Sequence, residues 1–233
     1  MSTNIIAQLS LRRRVGDPAQ KCRRMFLRFF PRGFKDKTYF QWERGYKVAA
    51  HDQWQELLSR SNYEALLKNR KYREIAAAAA RIESKTNLLF SFEKMAFRDA
   101  VRETPGARIF AEELYELLYG RRTIDKKFET WCEAIAALPR KQTRVLTHPV
   151  VTIFPFIAQP DLHIFLKPNT TKRAAGEYGF DFKYSSTSSW EVYSSLLGFA
   201  EKIRKDQRDL GPRDMIDLQS FIWVIGSDEY RHM

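Results

Sequence analysis

Val150-Val151-Thr152-Ile153-Phe154-Pro155-Phe156-Ile157-Ala158 is almost wholly apolar and has no polar stripe. It fits no surface helix and predicts a helix buried on all sides. Upstream, apolar residues recur at helical spacing. Val48, His51, Trp54, Leu57 and Leu58 mark one helix. Residues 73–82 carry five consecutive alanines, the strongest helix formers. Residues 88–101 place Leu89, Phe92, Met95, Ala96 and Ala100 on one face, and Pro105-Gly106 breaks the run. Residues 109–119 follow with Phe110, Leu114, Leu117 and Leu118, closed by Gly120; residues 124–138 end at Pro139. These methionine and aromatic stripes read as core.

Downstream, Gln159-Pro160-Asp161 is a turn and residues 162–166 are a short apolar run of undetermined type. Asn169 or Thr170 is placed to cap a helix that reaches Tyr178 and stops at Gly179. Residues 180–184 alternate as an extended segment would. Ser188 or Ser189 is placed to cap a long helix from Trp190, and Gly211-Pro212 to open the last one, with Met215, Ile216, Phe221, Ile222 and Ile225 inward. The fold class is mainly α: a compact multi-helix orthogonal bundle with at most a short β element. Residues 1–47 read as a basic, aromatic-rich arm packed on the core. Residues 48–233 read as one helical domain, with scaffold helices over 48–138 and a second half over 139–226.

The formal charge of +12 is unevenly spread. Residues 1–50 hold twelve Lys/Arg against three Asp/Glu, whereas residues 51–233 hold 28 against 25. A basic block of this kind suits a polyanion, because each cation that neutralises a phosphate releases a counterion. Its cations include Arg12, Arg13, Arg14, Arg23, Arg24, Lys35 and Lys37, interleaved with aromatics such as Phe26, Phe29, Phe30 and Trp42. Those aromatics are expected mostly to dock the arm on the core. With 44% hydrophobic and 29% charged residues the composition is globular. No apolar run reaches the roughly 20 residues of a membrane span, and the start does not read as a secretory signal, so a cytoplasmic protein without membrane contact is expected.

Cys22 and Cys132 lie in no CxxC or Cys/His cluster, which argues against a disulfide framework or structural zinc. Asp161 and His163 are spaced to offer two ligands along an extended strand, but a surface loop is the plainer reading, and no metal or other cofactor is called for. Glycine-rich phosphate loops, GxSxG, HExxH and kinase signatures are all absent from the sequence.

One stretch carries more. Leu138-Pro139-Arg140-Lys141 leads to Thr147-His148-Pro149, the buried segment, and then Lys167-Pro168-Asn169-Thr170-Thr171-Lys172-Arg173-Ala174-Ala175-Gly176-Glu177-Tyr178-Gly179. Residues 138–179 resemble the central region of the helix-hairpin-helix DNA glycosylase superfamily. There a hairpin offers backbone amides to a DNA phosphate, a buried helix follows, and a loop carries a catalytic aspartate to the start of a basic helix. Here Thr147-His148-Pro149 stands at the hairpin without its glycines, and Lys172-Arg173 at the basic stretch. Pro168 or Asn169 occupies the aspartate's place. The acid must then come from elsewhere, or the protein binds without cutting.

The resemblance implies a DNA-binding protein that hydrolyses the N-glycosidic bond of a damaged or modified base. Removing a modified base would also suit defence against modified phage DNA. The partner is DNA, through backbone phosphates and a flipped base. Breaking the bond develops positive charge on the sugar, which a carboxylate can stabilise, or a lysine can attack the sugar carbon instead. The candidates are Asp161, Lys167, Asp214 and Asp217; the last two lie three apart and share a helix face. His148, Asn169, Thr170, Lys172 and Arg173 are candidate nucleic-acid contacts. Cations early in a helix oppose its dipole, and a bound phosphate would reverse that penalty. A non-catalytic nucleic-acid-binding subunit and a protein-interaction scaffold are the alternatives.

Overall fold

The structure is a computed structural model that describes residues 16–139, 141 and 145–233. Arg12, Arg13 and Arg14 lie outside the described residues. The fold is mainly α, with no strand among the described residues. The helices are α1 (Pro18–Phe29), α2 (Gly45–Leu58), α3 (Arg60–Lys68), α4 (Tyr72–Ser84), α5 (Ser91–Ala100), α6 (Thr104–Tyr119), α7 (Ile124–Ala137), α8 (His148–Ala158), α9 (Pro168–Tyr178), α10 (Trp190–Asp206) and α11 (Met215–Gly226).

Every residue of α8 is buried, among α2, α4, α6 and α7. Its backbone groups therefore need partners from other helices. Pro155 inside α8 removes the amide that would bond the Val151 carbonyl, and the Trp131 indole N–H of α7 donates to that oxygen instead, at 2.8 Å. At the C-terminal end, the Ile157 carbonyl pairs with His51 Nδ1 at 2.8 Å, and the Ala158 carbonyl accepts from Gln55 Nε2 at 3.2 Å. Both donors sit on α2, so this buried helix is satisfied only in the folded protein.

The basic arm is more structured than its composition suggests. Asp17 caps α1 by accepting from the Ala19 amide at 3.0 Å, and Ala19, Cys22 and Phe26 form its buried stripe. Phe26, Phe30, Phe34 and Tyr39 pack edge to face and tilted, and Phe26 reaches Phe221 of α11 at 5.0 Å between ring centroids. The chain then runs through Lys37–Tyr39 and one wide turn, Phe40–Arg44, directly into α2. The expected boundary at 47/48 thus falls inside a helix, and residues 18–47 share one core with the rest.

Several local expectations shift. Phe92 and Met95 are 55% and 65% exposed, while Glu93, Phe97 and Ala100 form the buried side of α5. Of the stripe read from sequence, Leu89 and Ala100 are buried, Ala96 is half-buried, and only Phe92 and Met95 face solvent. Helix α9 begins at Pro168, so neither Asn169 nor Thr170 is its cap, and Lys172 and Arg173 fall in its second turn. Gly179 ends it in the left-handed conformation (φ 70°), with the Phe180 amide reaching back to the Ala175 carbonyl. Ser189 caps α10. Asp214, not Pro212, starts α11, accepting from the Asp217 amide at 3.1 Å. Residues 162–166 are irregular, but Ile164, Phe165 and Leu166 are buried.

Candidate functional site

The N-termini of α5, α8 and α9 line one cleft of about 560 Å³, and residues just past the C-terminus of α11 complete its wall. Each N-terminus presents backbone amides and the positive end of a helix dipole. At two of them one amide is bonded internally. Glu93 Oε2 accepts from the Phe90 amide at 3.0 Å, and Oε1 accepts from Thr147 Oγ1 at 3.0 Å. Thr147 in turn caps α8, accepting from the Val150 amide at 3.3 Å. One buried carboxylate so joins the starts of α5 and α8. Helix α9 has no side-chain cap: Lys167 stands at its N-cap, Pro168 has no amide hydrogen, and the first-turn amides of Asn169 and Thr170 follow.

Gly226 brings α9 to this position. A Cβ there would collide with the Thr170 carbonyl oxygen and lie 2.9 Å from Ala174 Cβ. Without one, the end of α11 seats against the first turns of α9, in the most extensive helix contact of the fold. Ser227, the next residue, is 3% exposed and lines the cleft. Its hydroxyl has no hydrogen-bond partner among the described residues. A smaller pocket of about 180 Å³ adjoins, sharing Lys167, Trp223 and Glu229.

The walls are aromatic. Phe90 and Phe92 stack at 5.7 Å and 15° between ring planes, and both are more than half exposed. Tyr184 and Trp223 also line the cleft. Lys167 Nζ sits 3.6 Å from the Phe90 ring centroid and donates to the Leu88 carbonyl at 2.8 Å. Burial pushes this amine below the usual lysine value. His148 is buried, with Nε2 2.8 Å from the Ser185 carbonyl and Nδ1 3.2 Å from Ser188 Oγ. The carbonyl assigns the ring proton to Nε2 in the neutral form. Arg173 donates to the Gly226 carbonyl at 3.2 Å and pairs with Asp228. Lys172 lies outside the lining, its ammonium 4.4 Å from the centroid of the Tyr184 ring.

Of the residues singled out from sequence, Lys167, His148, Asn169, Thr170 and Arg173 come together in this cleft. Asp161 is exposed in the turn after α8 and does not line it. Nearby His163 is buried against Tyr193, 3.1 Å from its hydroxyl, and burial lowers its imidazole to about 4. Asp214 and Asp217 sit at the other end of α11. Asp217 is fully buried and accepts from Tyr39 at 2.6 Å, Arg44 at 2.8 Å and Arg213 at 2.9 Å; Arg44 also grips Asp214 at 2.6 Å. Arg23 is paired with Asp209, whereas Arg24, Lys35 and Lys37 are exposed. Both cysteines are buried, and burial pushes the thiols up to about 11 and about 12, so neither is a ready nucleophile.

Sequence reading missed Glu93, Phe90, Phe92, Trp223 and Ser227. It also missed a shallow groove of about 630 Å³ where Arg73 and Arg81 of α4 meet Arg98 of α5 and Arg102 just beyond it, over Ala76, Ala77 and Ala80. The eight-residue spacing on α4 was the available signal, since it returns to one helix face. No family model, curated protein or solved structure matches the chain.

Proposed function

We propose that this protein binds DNA, takes one extruded nucleotide into the cleft, and hydrolyses the N-glycosidic bond of a damaged or modified base. The observation that carries this reading is the gathering of Lys167, His148, Asn169, Thr170 and Arg173 with two exposed stacked rings around one cavity. At about 560 Å³ the cavity falls within the roughly 300–1,000 Å³ of small-ligand pockets and suits a base. Exposed aromatics contribute stacking that tolerates any base. The arginine groove offers further phosphate contacts. Helix α5 carries a residue of each, Glu93 in the cleft and Arg98 in the groove, five residues apart and roughly 7–8 Å along the helix axis.

In the hydrolytic reaction the C1′–N bond breaks and its electron pair leaves with the base. Water adds to C1′ and gives up a proton. Glu93 is the buried carboxyl group of the cleft lining, and there it stabilises the cationic sugar. Lys167 is the alternative attacking group: after giving up a proton its amine bonds to C1′, the base departs with the C1′–N electron pair, and transfer of a further N–H proton to the ring oxygen opens the sugar and leaves an imine. Incubating the protein with DNA carrying modified bases, then cleaving abasic sites with alkali, tests the enzyme reading. Strand breaks at the modified position are expected; none on any modified substrate sinks it. Borohydride trapping of a protein–DNA adduct separates lysine attack from water attack.

A second reading, binding without catalysis, is favoured by one feature. Both Glu93 oxygens already accept hydrogen bonds that hold α5 and α8. It predicts steep salt dependence of DNA binding with no base release.

A further inference from the structure

We infer that the end of the cleft at α9 is a phosphate subsite, with the Asn169 and Thr170 amides and the Ser227 hydroxyl as donors. The base of the same nucleotide then stacks on Phe90 and Phe92. The subsite stands on these atoms alone. That the phosphate belongs to a nucleotide rests on the nucleic-acid reading above.

Two independent observations meet here. Helix α9 is eleven residues long and has no side-chain bond at its start, whereas Thr147 accepts from the Val150 amide of α8 and Glu93 from the Phe90 amide that precedes α5. An uncapped N-terminus favours an anion through both its amides and its dipole. Ser227 is the second observation. Its hydroxyl is enclosed and unpartnered, a state that costs free energy unless something else bonds it. It follows Gly226, whose missing side chain lets the chain touch Thr170, so the orphan hydroxyl belongs to the same corner as the α9 amides. Lys167 adds positive charge at its side, while Arg173 and Asp228 form a pair. Of the three carboxylates that line the cleft, Glu93 is committed to Thr147 and the Phe90 amide and Asp228 to Arg173, while Glu229 is exposed to solvent, which screens it.

The phosphate has two sources: a free mononucleotide or a unit of a strand. Calorimetric titration of the full chain with inorganic phosphate, dAMP, deoxyadenosine and single-stranded oligonucleotides with and without a 5′-phosphate distinguishes them. dAMP is expected to bind about tenfold or more tighter than deoxyadenosine, as bonds to a charged group imply. Inorganic phosphate should compete with dAMP. Asn169→Asp should abolish that competition by placing a carboxylate where the anion sits, and Ser227→Ala should weaken dAMP several-fold.

Both variants should melt at or above the wild-type temperature. An acid suits a helix start, and the lost hydroxyl had no partner. Loss of binding without loss of stability is therefore the signature. Equal affinity for dAMP and deoxyadenosine, or wild-type binding by both variants, overturns the subsite. If phosphate and dAMP bind but no oligonucleotide does, the subsite stands and the nucleic-acid reading falls. If oligonucleotides bind while the phosphate makes no difference, the subsite falls alone.

Discussion

The two ends of α11 treat buried polar groups in opposite ways. At its start, Asp214 and Asp217 meet Arg44, Arg213 and Tyr39, and the fully buried Asp217 accepts from each of those three side chains. Just past its end, Ser227 is equally enclosed and its hydroxyl bonds to nothing among the described residues. A protein interior tolerates charge when that charge is paired and fully bonded, which describes the first end. An unbonded hydroxyl enclosed in a cleft wall costs folding free energy that a bound ligand can recover. The comparison moves the weight of function from two aspartates to the cleft that holds Lys167, Glu93 and Ser227.

The largest effect should come from breaking the satisfied end. Asp217→Ala leaves Arg44 with one carboxylate and removes a partner of Tyr39 and Arg213, so about 3–5 kcal/mol of stability should be lost in urea unfolding. A Ser227→Ala change of similar size would erase the contrast.

Acid probes the same network more gently. Burial, the strongest single influence, raises the Asp214 carboxyl, but the bonds and charge of Arg44, with the Asp217 amide, outweigh it and hold the group below its ordinary value. A depressed carboxyl stabilises fully above the unfolded value of about 4 and loses that contribution as pH falls through the folded value. Stability measured from pH 6 downward should fall below about pH 4. In Asp214→Asn the acid limb should be shallower. An unchanged limb would show that other groups set it.

Gly226→Ala tests the geometry between the two ends. The new methyl must displace the first turn of α9, at a cost of about 1–3 kcal/mol as overpacking usually shows, and should weaken ligand binding as well. The smallest stability effect belongs to Phe92→Ala. This ring is 55% exposed, so unfolding should change by about 0.5 kcal/mol or less. Single-stranded DNA affinity should nonetheless drop by about 1–3 kcal/mol if the ring stacks on a base. A ring whose loss changes stability but not binding would belong to the core.

Much of the helix set was legible because its signals are local. The apolar run 150–158, the alanine run in α4, Ser189 before α10 and Gly179 after α9 each act within a few residues. The errors were also local in kind. Phe92 and Met95 formed an apolar pair at helical spacing, yet spacing shows only that two residues share a face, not whether another helix covers it. Of the candidate site, Lys167, His148, Asn169, Thr170 and Arg173 were legible because they lie in one basic, proline-marked stretch. Glu93 and Ser227 were not, since 54 residues separate Glu93 from Thr147 and nothing near Ser227 marks it.

The sequence by itself determined that this chain is helical, that residues 150–158 are buried, and that positive charge crowds its start. Periodicity, capping and composition are properties of short segments and need no distant partner. Tertiary structure alone decided that three helix starts share a cleft, that Arg44 neutralises acids 170 and 173 residues away, and that Trp131 bonds the carbonyl freed by Pro155. Burial and pairing of polar groups depend on what packs against them. Asp217 and Ser227 therefore look alike along the chain, as polar residues at the ends of one apolar helix, and differ only once the other helices are in place.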